Sequence, residues 1–479
     1  MLLSVCTILG LADPAGAQTG GWLQSDQTGR LDKSELEQIY VVNTRALNFR
    51  DEPSVDNTPL RSLAKGAYLK KTDETINSVE RRTWYHVVWR TGEEGWVASE
   101  YLAPVSDALW TVDGALRFAE RLGSPAVASA TRPALDEIRA GFLYVGPIGD
   151  AGWTYAHEKG RQAMAKLPYV KAATYVESVP GDPDLVLEAI DKLVADGHNV
   201  IFTTSFDHMD PTIEAARRYP DVVFMNCSGY KTEPNAGTYF GRMYQVRYLT
   251  GLLAGIMTQT NELGYVAALP TPDVVHGINA FALGARSVNK DVDVRVAWTN
   301  TWYGPDIESE KAEALLDEGA DVLAMEQDSP AVIQAAAKRG KYAIGYQSDM
   351  SLFAPELTLT SAVYEWAPIY ISIAEQLHEG TWQSENIWWG LKEGAVGLAP
   401  MAAAVPQAVR DLVESEKAQI IEGSVRVFEG PIQDAAGQIR VPARQVMSDA
   451  DLLSMDYFVR GVTGEMPALP DTPSDAATN

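Results

Sequence analysis

The chain has 479 residues, of which 46% are hydrophobic and 22% charged, and its formal net charge at pH 7 is −25. This length exceeds one ordinary domain and the composition is globular, so we expect two or three domains with a buried core. The acidic balance argues against a nucleic-acid partner, because the chain has no basic stripe to neutralise phosphates.

The first seventeen residues have the features of a cleaved signal peptide. Residues 1–12 are apolar or small, and Ala15-Gly16-Ala17 has the small-x-small pattern that signal peptidase reads. We therefore predict a signal peptide over residues 1–17, with a buried N-terminal segment as the alternative. Lipidation of Cys6 is not expected, since no small residue directly precedes it. Removal of the leader leaves Cys227 alone, so we expect no internal disulfide.

A small β-barrel is predicted after a polar spacer at residues 18–35. Over residues 36–104 short strand patterns alternate with turns such as Thr91-Gly-Glu-Glu-Gly95. The predicted strands are Ile39–Val42, Leu60–Leu63, Tyr68–Lys70, Tyr85–Trp89 and Trp96–Val97.

Four motifs stand in this segment: Leu47-Asn-Phe-Arg50, Leu63-Ala-Lys-Gly66, Trp84-Tyr85-His-Val87 and Gly95-Trp96-Val-Ala-Ser-Glu-Tyr101-Leu102. In their order and spacing they resemble a bacterial SH3 domain. The resemblance implies a domain that in many proteins binds cell-wall peptides or glycans. We expect Trp84 and Trp96 to pack in the barrel core, with ligand contact as the alternative.

Strands and amphipathic helices alternate from residue 138 to residue 465, after a linker at residues 105–137. One helix follows Asp182-Pro183, carries Val186 and Ile190 on its apolar face, and ends at Gly197; a second follows Pro330 and ends at Gly340. This alternation predicts βαβ units and parallel sheets, and its length favours two lobes with a cleft between them. Residues 466–479 are predicted to be a disordered tail.

Five buried-strand patterns in this region end in polar or aromatic residues. They are Ala140–Val145, Val200–Thr204, Val222–Met225, Val322–Met325 and Ala343–Tyr346. Because ligands of open α/β sheets bind beyond the carboxyl ends of the strands, we expect the functional site there.

Motifs for catalysis, metal binding and nucleotide cofactors are missing from the sequence. It has no Gly-x-Ser-x-Gly, His-Glu-x-x-His, phosphate loop or dinucleotide fingerprint, and its six histidines are scattered. Ser205, Asp207 and His208 lie too close together in one turn to form a catalytic relay. We therefore predict neither an enzyme nor a bound metal or cofactor.

Aromatic rings stand beside hydrogen-bonding groups at the predicted strand ends. The residues are Trp153 and Tyr155 near Asp150, Phe206 beside Asp207, Trp302-Tyr303, and Glu326-Gln327-Asp328. A planar heterocycle suits this combination, since stacking supplies burial and a few polar atoms supply selection. The alternative for each single aromatic residue is core packing.

Eight motifs follow one another in the stretch from Gly141 to about Gly464. They are, in order, Gly149-Asp150-Ala-Gly152-Trp153, Arg247-Tyr-Leu-Thr-Gly251, Leu263-Gly264, Asn279-Ala-Phe281, Glu318-Gly319-Ala-Asp321, Gly345-Tyr-Gln-Ser-Asp349, Leu391-Lys392-Glu-Gly394 and Met455–Val462. Taken together, they resemble the basic membrane protein family of ABC-transporter substrate-binding proteins. The resemblance implies an α/β, type I periplasmic-binding fold, in which two Rossmann-like lobes with three hinge crossings close on a purine base or nucleoside.

The resemblance also implies roles for single residues. Trp153 matches the ring that stacks on the base, Asp349 the acid that holds the ribose hydroxyls, Lys392 a lysine of the ligand or lobe interface, and Asp150 a ligand-side acid. With the aromatic and polar strand ends, the predicted ligand-binding set is Asp150, Trp153, Tyr155, Phe206, Asp207, Trp302, Glu326, Asp349 and Lys392. Bulky residues at Gly152–Tyr155 and Glu326–Asp328 depart from the nucleoside-binding pattern and favour a free base such as adenine, with a nucleoside second.

The family further implies a periplasmic protein that delivers its ligand to an ABC permease in the inner membrane. One alternative is a cell-envelope sensor that attaches to peptidoglycan through the SH3-like barrel. A nucleoside-processing enzyme is the third and least favoured reading.

Overall fold

The computed structural model describes residues 39–42, 46–54, 61–64, 68–77, 82–89, 94–99, 102–104 and 134–467. The predicted leader, the spacer, nearly all of the linker and nearly all of the tail lie outside these residues. The chain divides into two compact units, Met1–Ser129 and Ala130–Asn479, and each is considered by itself.

The first unit is built from short antiparallel strands. They are β1 (Ile39–Val42), β2 (Ala46–Phe49), β3 (Arg61–Ala64), β4 (Tyr68–Asn77), β5 (Arg82–Trp89), β6 (Glu94–Ala98) and β7 (Leu102–Pro104). The sheet order is β6-β5-β4-β1-β7, and β2 pairs with β3. Phe49, Leu69, Val87 and Val97 form the core, where Trp84 is also buried. Trp96 is half-buried, with its ring 5.0 Å from that of His86.

The second unit contains two sheets flanked by helices. Its strands are β8 (Ile138–Leu143), β9 (Val170–Val176), β10 (Val200–Thr203), β11 (Val223–Cys227), β12 (Ala236–Gly241), β13 (Glu262–Ala267), β14 (Asp293–Trp298), β15 (Val322–Glu326), β16 (Tyr342–Gln347), β17 (Thr358–Tyr364), β18 (Asn386–Trp389), β19 (Val396–Leu398), β20 (Ile432–Gln433), β21 (Ile439–Val441) and β22 (Val462–Thr463). Its helices are α1 (Trp153–Met164), α2 (Pro183–Ala195), α3 (Met209–Arg218), α4 (Met243–Met257), α5 (Pro272–Val288), α6 (Pro305–Asp317), α7 (Ala331–Lys338), α8 (Ala367–Glu379), α9 (Gln407–Glu422) and α10 (Asp449–Leu452).

Local sequence explains where helix α2 begins and ends. The Asp182 carboxylate accepts hydrogen bonds from the backbone N–H groups of Asp184 and Leu185, and Pro183 opens the helix. The residues Val186, Ile190 and Leu193 of its apolar face are buried. The chain then turns at Gly197, where φ is +85°.

Each sheet is the core of one lobe. Lobe 1 has the parallel order β18-β12-β11-β10-β8-β9, and lobe 2 has the order β19-β17-β16-β15-β13-β14-β22, in which only β19 pairs antiparallel. The residues of β10, β11, β15 and β17 are buried throughout, as expected for parallel strands covered by helices on both faces.

The chain passes between the lobes three times. The crossings are residues 241–243, between β12 and α4; residues 364–367, between β17 and α8; and residues 389–396, between β18 and β19. They lie side by side, because Tyr364 pairs with Val396 and the Arg242 N–H donates to the Trp389 carbonyl at 2.7 Å. A Cβ on Gly241 would lie 2.7 Å from the Tyr364 ring, so the first crossing has room only for glycine. These crossings form the hinge.

Candidate functional site

The two lobes touch at the carboxyl ends of their strands. The Ser348 hydroxyl of lobe 2 donates to the carbonyl of Ala151 in lobe 1. A Cβ on Gly152 would lie 2.8 Å from the Asp328 carbonyl oxygen and 3.2 Å from Gln347 Oε1. Ala151 and Gln347 both have left-handed backbone, with φ of +61° and +68°. Strained backbone of this kind clusters at ligand clamps and switches, so this contact is the centre of the candidate site.

Asp150 organises the lobe 1 side of this contact. Its carboxylate accepts the backbone N–H groups of Gly152, Thr154 and Tyr155 at 2.9, 2.7 and 2.9 Å. These N–H groups belong to the start of α1, where the helix dipole also favours a negative charge. Asp150 therefore fixes the loop that meets lobe 2.

Trp153 lies between lobe 1 and the second crossing. Its indole N–H donates to the Thr204 carbonyl at 2.7 Å. Its ring packs edge-on against those of His157, Tyr364 and Trp366, at 4.6, 5.6 and 5.5 Å between centroids. The half-buried ring is thus held in one orientation beside the cleft, and whether it also stacks on a ligand stays a prediction.

Sequence reasoning missed the aromatic stack behind Trp153. Trp366 lies parallel to Tyr364 at 4.6 Å and to His157 at 4.5 Å. His157 Nδ1 lies 2.5 Å from the Tyr370 hydroxyl, and burial lowers the pKa of His157 so that the imidazole is neutral. The sequence feature that could have indicated this stack is Tyr364-Glu-Trp366, another aromatic pair at the end of an apolar strand.

Three of the predicted aromatic residues are exposed at strand ends. Tyr155 is 42% exposed, Phe206 49% and Trp302 37%. The Phe206 ring lies 6.2 Å from that of Tyr230, and the Trp302 carbonyl accepts the Asp328 N–H at 2.9 Å. Trp302 is therefore tied to the interlobe contact through its backbone, and all three rings are available to a ligand or a partner.

The Ser205–His208 loop does not form a catalytic relay. Ser205 Oγ accepts the Asp207 N–H at 3.4 Å, while His208 Nε2 lies 3.0 Å from the Val179 carbonyl. Burial lowers the pKa of His208 to about 4, so it is neutral near pH 7. Burial also raises the pKa of Asp207, which stands half-buried beside Gly181. Asp207 therefore has no part in a catalytic relay and is a half-buried polar group just beyond the end of β10.

Glu326 points into lobe 2. It is 2% exposed, and it accepts hydrogen bonds from the hydroxyls of Tyr265 and Tyr346 at 2.7 and 3.1 Å. Arg247 Nη2 lies 3.3 Å from Glu326 Oε2, the oxygen that also accepts the Tyr265 hydroxyl. Burial raises the pKa of Glu326 to about 7, against the opposing effect of Arg247. The side chain belongs to the interior beneath the cleft.

Asp328, two residues further on, is the acidic group at the interlobe contact. Gln347 Nε2 donates to Asp328 Oδ1 at 2.5 Å. Burial raises the pKa of Asp328 to about 8, and the negative charge of Asp150 in lobe 1 adds to the shift. Neither Asp328 nor Gln347 is in the predicted ligand-binding set, although both stand in strand-end motifs that the sequence shows plainly.

Asp349 and Lys392 complete the predicted set. Asp349 is exposed, and its Oδ1 accepts the Ser351 N–H at 3.0 Å at the start of a short 3₁₀ turn. Lys392 is exposed on the turn of the third crossing. The structure therefore brings Asp150, Trp153 and Trp302 to the interlobe contact and places Lys392 at the hinge.

Comparison with known proteins gives two family matches. Residues 137–427 match the model of a family described as ABC transporter substrate-binding protein PnrA-like, and residues 45–103 match the bacterial SH3 domain. A purine-binding protein of Brucella abortus is 42% identical over 333 residues, which are 69% of this chain and 95% of that protein. TsgA13 of Haloferax volcanii, whose name proposes glucose binding in an ABC transporter, is 40% identical over 70% of this chain and 82% of its own.

Solved structures share the two-lobed architecture. An ABC-transporter solute-binding protein from Conexibacter woesei has a TM-score of 0.53 at 21% identity, covering 60% of this chain and 98% of its own. A second, from Aeropyrum pernix, has a TM-score of 0.52 at 19% identity, covering 63% and 94%. These likenesses show the fold, and they confirm the fold class predicted from the sequence.

None of the described helices is both long and apolar enough to cross a membrane. Within the same part of the chain, no group of three or more His, Cys, Asp and Glu side chains is arranged to hold a metal ion.

Proposed function

Because this chain belongs to the family of PnrA-like ABC-transporter substrate-binding proteins, we propose that it captures a purine outside the cytoplasm and delivers it to an ABC permease in the inner membrane. The observation that carries the ligand class is the 42% identity to a purine-binding protein along 95% of that protein's length. Substrate-binding proteins of ABC importers act outside the cytoplasm, and the location proposed for this chain is the periplasm.

Capture occurs by closure of the two lobes about the three crossings. A ligand that contacts both lobes favours the closed form, because only there are both sets of contacts made. The Ala151–Ser348 hydrogen bond and the approach of Gly152 to Asp328 belong to this closed form. The permease then reads the closed surface, and no covalent bond is made or broken.

A free base such as adenine is the first ligand candidate, and a nucleoside is the second. Support comes from the Asp328–Gln347 pair, because even a Cβ on Gly152 would lie 2.8 Å from the Asp328 carbonyl oxygen, which leaves little space for a ribose at this contact. The carboxylates of Asp150, Asp207 and Asp349 are acceptors that suit ligand N–H groups. They also disfavour a phosphate group, so a nucleotide is not expected.

In this proposal, the aromatic residues supply stacking surface and the polar residues select. Trp153 is the first candidate for stacking, with Tyr155, Phe206 and Trp302 at the rim. Lys392 acts at the hinge, and Glu326 supports the site from below. Base-on-aromatic stacking contributes about 1–3 kcal/mol for each base in measured cases.

The test is to identify the ligand that the protein retains. The full chain is purified under native conditions and denatured, and the released small molecules are identified by mass spectrometry. The proposal expects a purine at a substantial fraction of the protein concentration. Recovery of glucose instead, the ligand suggested by the TsgA13 name, would move this chain to another ligand class within the same family.

The SH3-domain match supports an additional role, attachment to the cell wall. The barrel would hold the binding lobes near peptidoglycan, whether the protein serves a permease or acts as an envelope sensor. A pull-down on purified sacculi compares the full chain with residues 130–479, the second compact unit. If only the full chain is retained, the result supports attachment through the barrel. If both proteins are retained equally, the attachment belongs to residues 130–479.

A further inference from the structure

A buried polar cluster lies in lobe 2, directly beneath the residues that contact lobe 1. One carboxylate, Glu326 at the end of β15, accepts the hydroxyls of Tyr265 from β13 and Tyr346 from β16. A single side chain thus links the carboxyl ends of three neighbouring strands. The fourth member is Arg247 of α4, which is 0% exposed.

The cluster is placed where it can control the contact residues. Glu326 precedes Asp328 by two positions, and Tyr346 directly precedes Gln347. Asp328 and Gln347 are the residues that approach Gly152 of lobe 1. The peptide bonds between them transmit any shift of Glu326 or Tyr346 to the surface that lobe 1 meets.

The cluster also reaches two of the three crossings. Arg247 is the fifth residue of α4, the helix that follows the first crossing, and its guanidinium lies 4.1 Å from the centre of the Tyr346 ring. The ring of Tyr364, where the second crossing begins, lies 6.0 Å from that of Tyr346. The cluster therefore packs against residues of the hinge and also adjoins the surface that contacts lobe 1.

Stability does not account for this arrangement. None of the three guanidinium nitrogens of Arg247 has a hydrogen-bond partner among the described residues, and its distance to Glu326 Oε2 is 3.3 Å. Removing two charges from water costs more than a loosely made ion pair returns, and replacing such pairs by apolar residues is often neutral or stabilising. Packing alone does not explain why this costly pair is buried. A role in placing the strand ends precisely does explain it.

We propose that Glu326 and Arg247 are positioning residues, which hold the ends of β15 and β16 in the orientation that lets Asp328 and Gln347 meet lobe 1. Glu326 acts through these neighbours and does not touch the ligand. The inference rests on the proposed function for its affinity readout. Its structural readout needs no ligand.

The chain offers a matched control at the other end of β15. Asp321 directly precedes β15, at the end opposite Glu326, and it is also buried. Its carboxylate accepts the Thr258 hydroxyl and the N–H groups of Gln259 and Thr260 at 2.6, 2.6 and 3.1 Å. Asp321→Asn therefore changes an equally engaged buried carboxylate to an amide, far from the cleft.

The experiment compares Glu326→Gln with Asp321→Asn. Adenine affinity is measured by calorimetry, and amide hydrogen exchange at residues 327–328 and 347–348 is measured without ligand. We expect Glu326→Gln to weaken binding by about tenfold or more and to speed exchange in both segments, while Asp321→Asn stays within about twofold of wild type in both readouts. Equal losses in the two variants would show that a buried carboxylate at either end of β15 has the same effect, and would overturn the positioning role.

A second variant separates positioning from stability. Arg247→Met with Glu326→Leu removes both buried charges together, so we expect a melting temperature at or above that of wild type. The same protein should still bind adenine about tenfold more weakly. Wild-type affinity and wild-type exchange in this variant would refute the inference. If wild type itself binds no purine, the proposed function fails, and the exchange comparison still decides the positioning role.

Discussion

Gly152→Ala gives the sharpest test of lobe closure. An added Cβ would lie 2.8 Å from the Asp328 carbonyl oxygen, about 0.6 Å inside the 3.4 Å at which ordinary van der Waals contact begins. The opposing atom is backbone of the other lobe, so no side-chain rotation relieves the overlap. Overpacking of this kind costs about 1–3 kcal/mol.

The cost falls on the closed form only, because the contact does not exist when the lobes are apart. At about 1.4 kcal/mol for each factor of ten, purine affinity should fall roughly 5- to 150-fold. The thermal stability without ligand should change little. Calorimetric titration measures the affinity, and small-angle X-ray scattering with and without adenine measures the loss of compaction.

Gly149→Ala is the control for this change. Gly149 lies in the same loop, and a Cβ there would meet nothing within 4 Å. It should bind and compact like wild type. Wild-type affinity and compaction in Gly152→Ala would contradict this prediction, because they would mean that lobe 1 and lobe 2 do not meet at Gly152 when ligand is bound.

Three further predictions concern Trp153, Asp328 and the Asp449–Arg242 pair. Trp153→Ala should weaken purine binding by about 1–3 kcal/mol in calorimetry if its ring, held by the Thr204 carbonyl, stacks on the base; unchanged affinity would assign Trp153 to packing alone. Burial raises the pKa of Asp328 from 3.8 to about 8, so the folded state keeps a proton that the unfolded state loses, and the free energy of unfolding should fall as pH rises between about 4 and 8. Urea unfolding at several pH values should show that the free energy of unfolding of Asp328→Asn falls less with pH than that of wild type. If it falls equally in the two proteins, the pKa of Asp328 is not raised. Asp449→Asn breaks the paired hydrogen bonds to Arg242 at the hinge, at 2.7 and 2.6 Å, and at this partly exposed site should lower the free energy of unfolding by about 1 kcal/mol or less.

The sequence predicted the strand ends well because parallel strands leave continuous apolar runs. The Val200–Thr204 and Val322–Met325 patterns end within one residue of β10 and β15. The start of α2 was equally plain, because Asp182-Pro183 is a local capping signal. Such features depend on neighbouring residues, which a single sequence displays directly.

The orientation of single side chains at the site could not be read in the same way. Glu326 and Asp328 stand in one motif, yet the first points into lobe 2 and the second meets lobe 1. Which carboxylate turns inward depends on where β15 ends and on Arg247, some eighty residues away along the chain. Arg247 itself left one usable signal, as the only charged residue in the apolar helix α4.

The aromatic stack at the second crossing shows the same limit. His157 and Trp366 are far apart in sequence and become parallel neighbours only after the chain has crossed between lobes. Composition and periodicity carry no information on such a contact. The sequence could predict that aromatic residues gather at strand ends, and it could not predict which rings pack on one another.

Whether this chain binds a purine is decided by calorimetric titration of the purified full chain, first freed of retained ligand. Adenine, guanine, adenosine, guanosine and glucose are titrated in turn under the same conditions. We predict that adenine binds with a dissociation constant of about 1 μM or tighter, which is a binding free energy near −8 kcal/mol, and that it binds more tightly than adenosine. Absence of binding by every purine, or binding of glucose alone, would contradict this prediction.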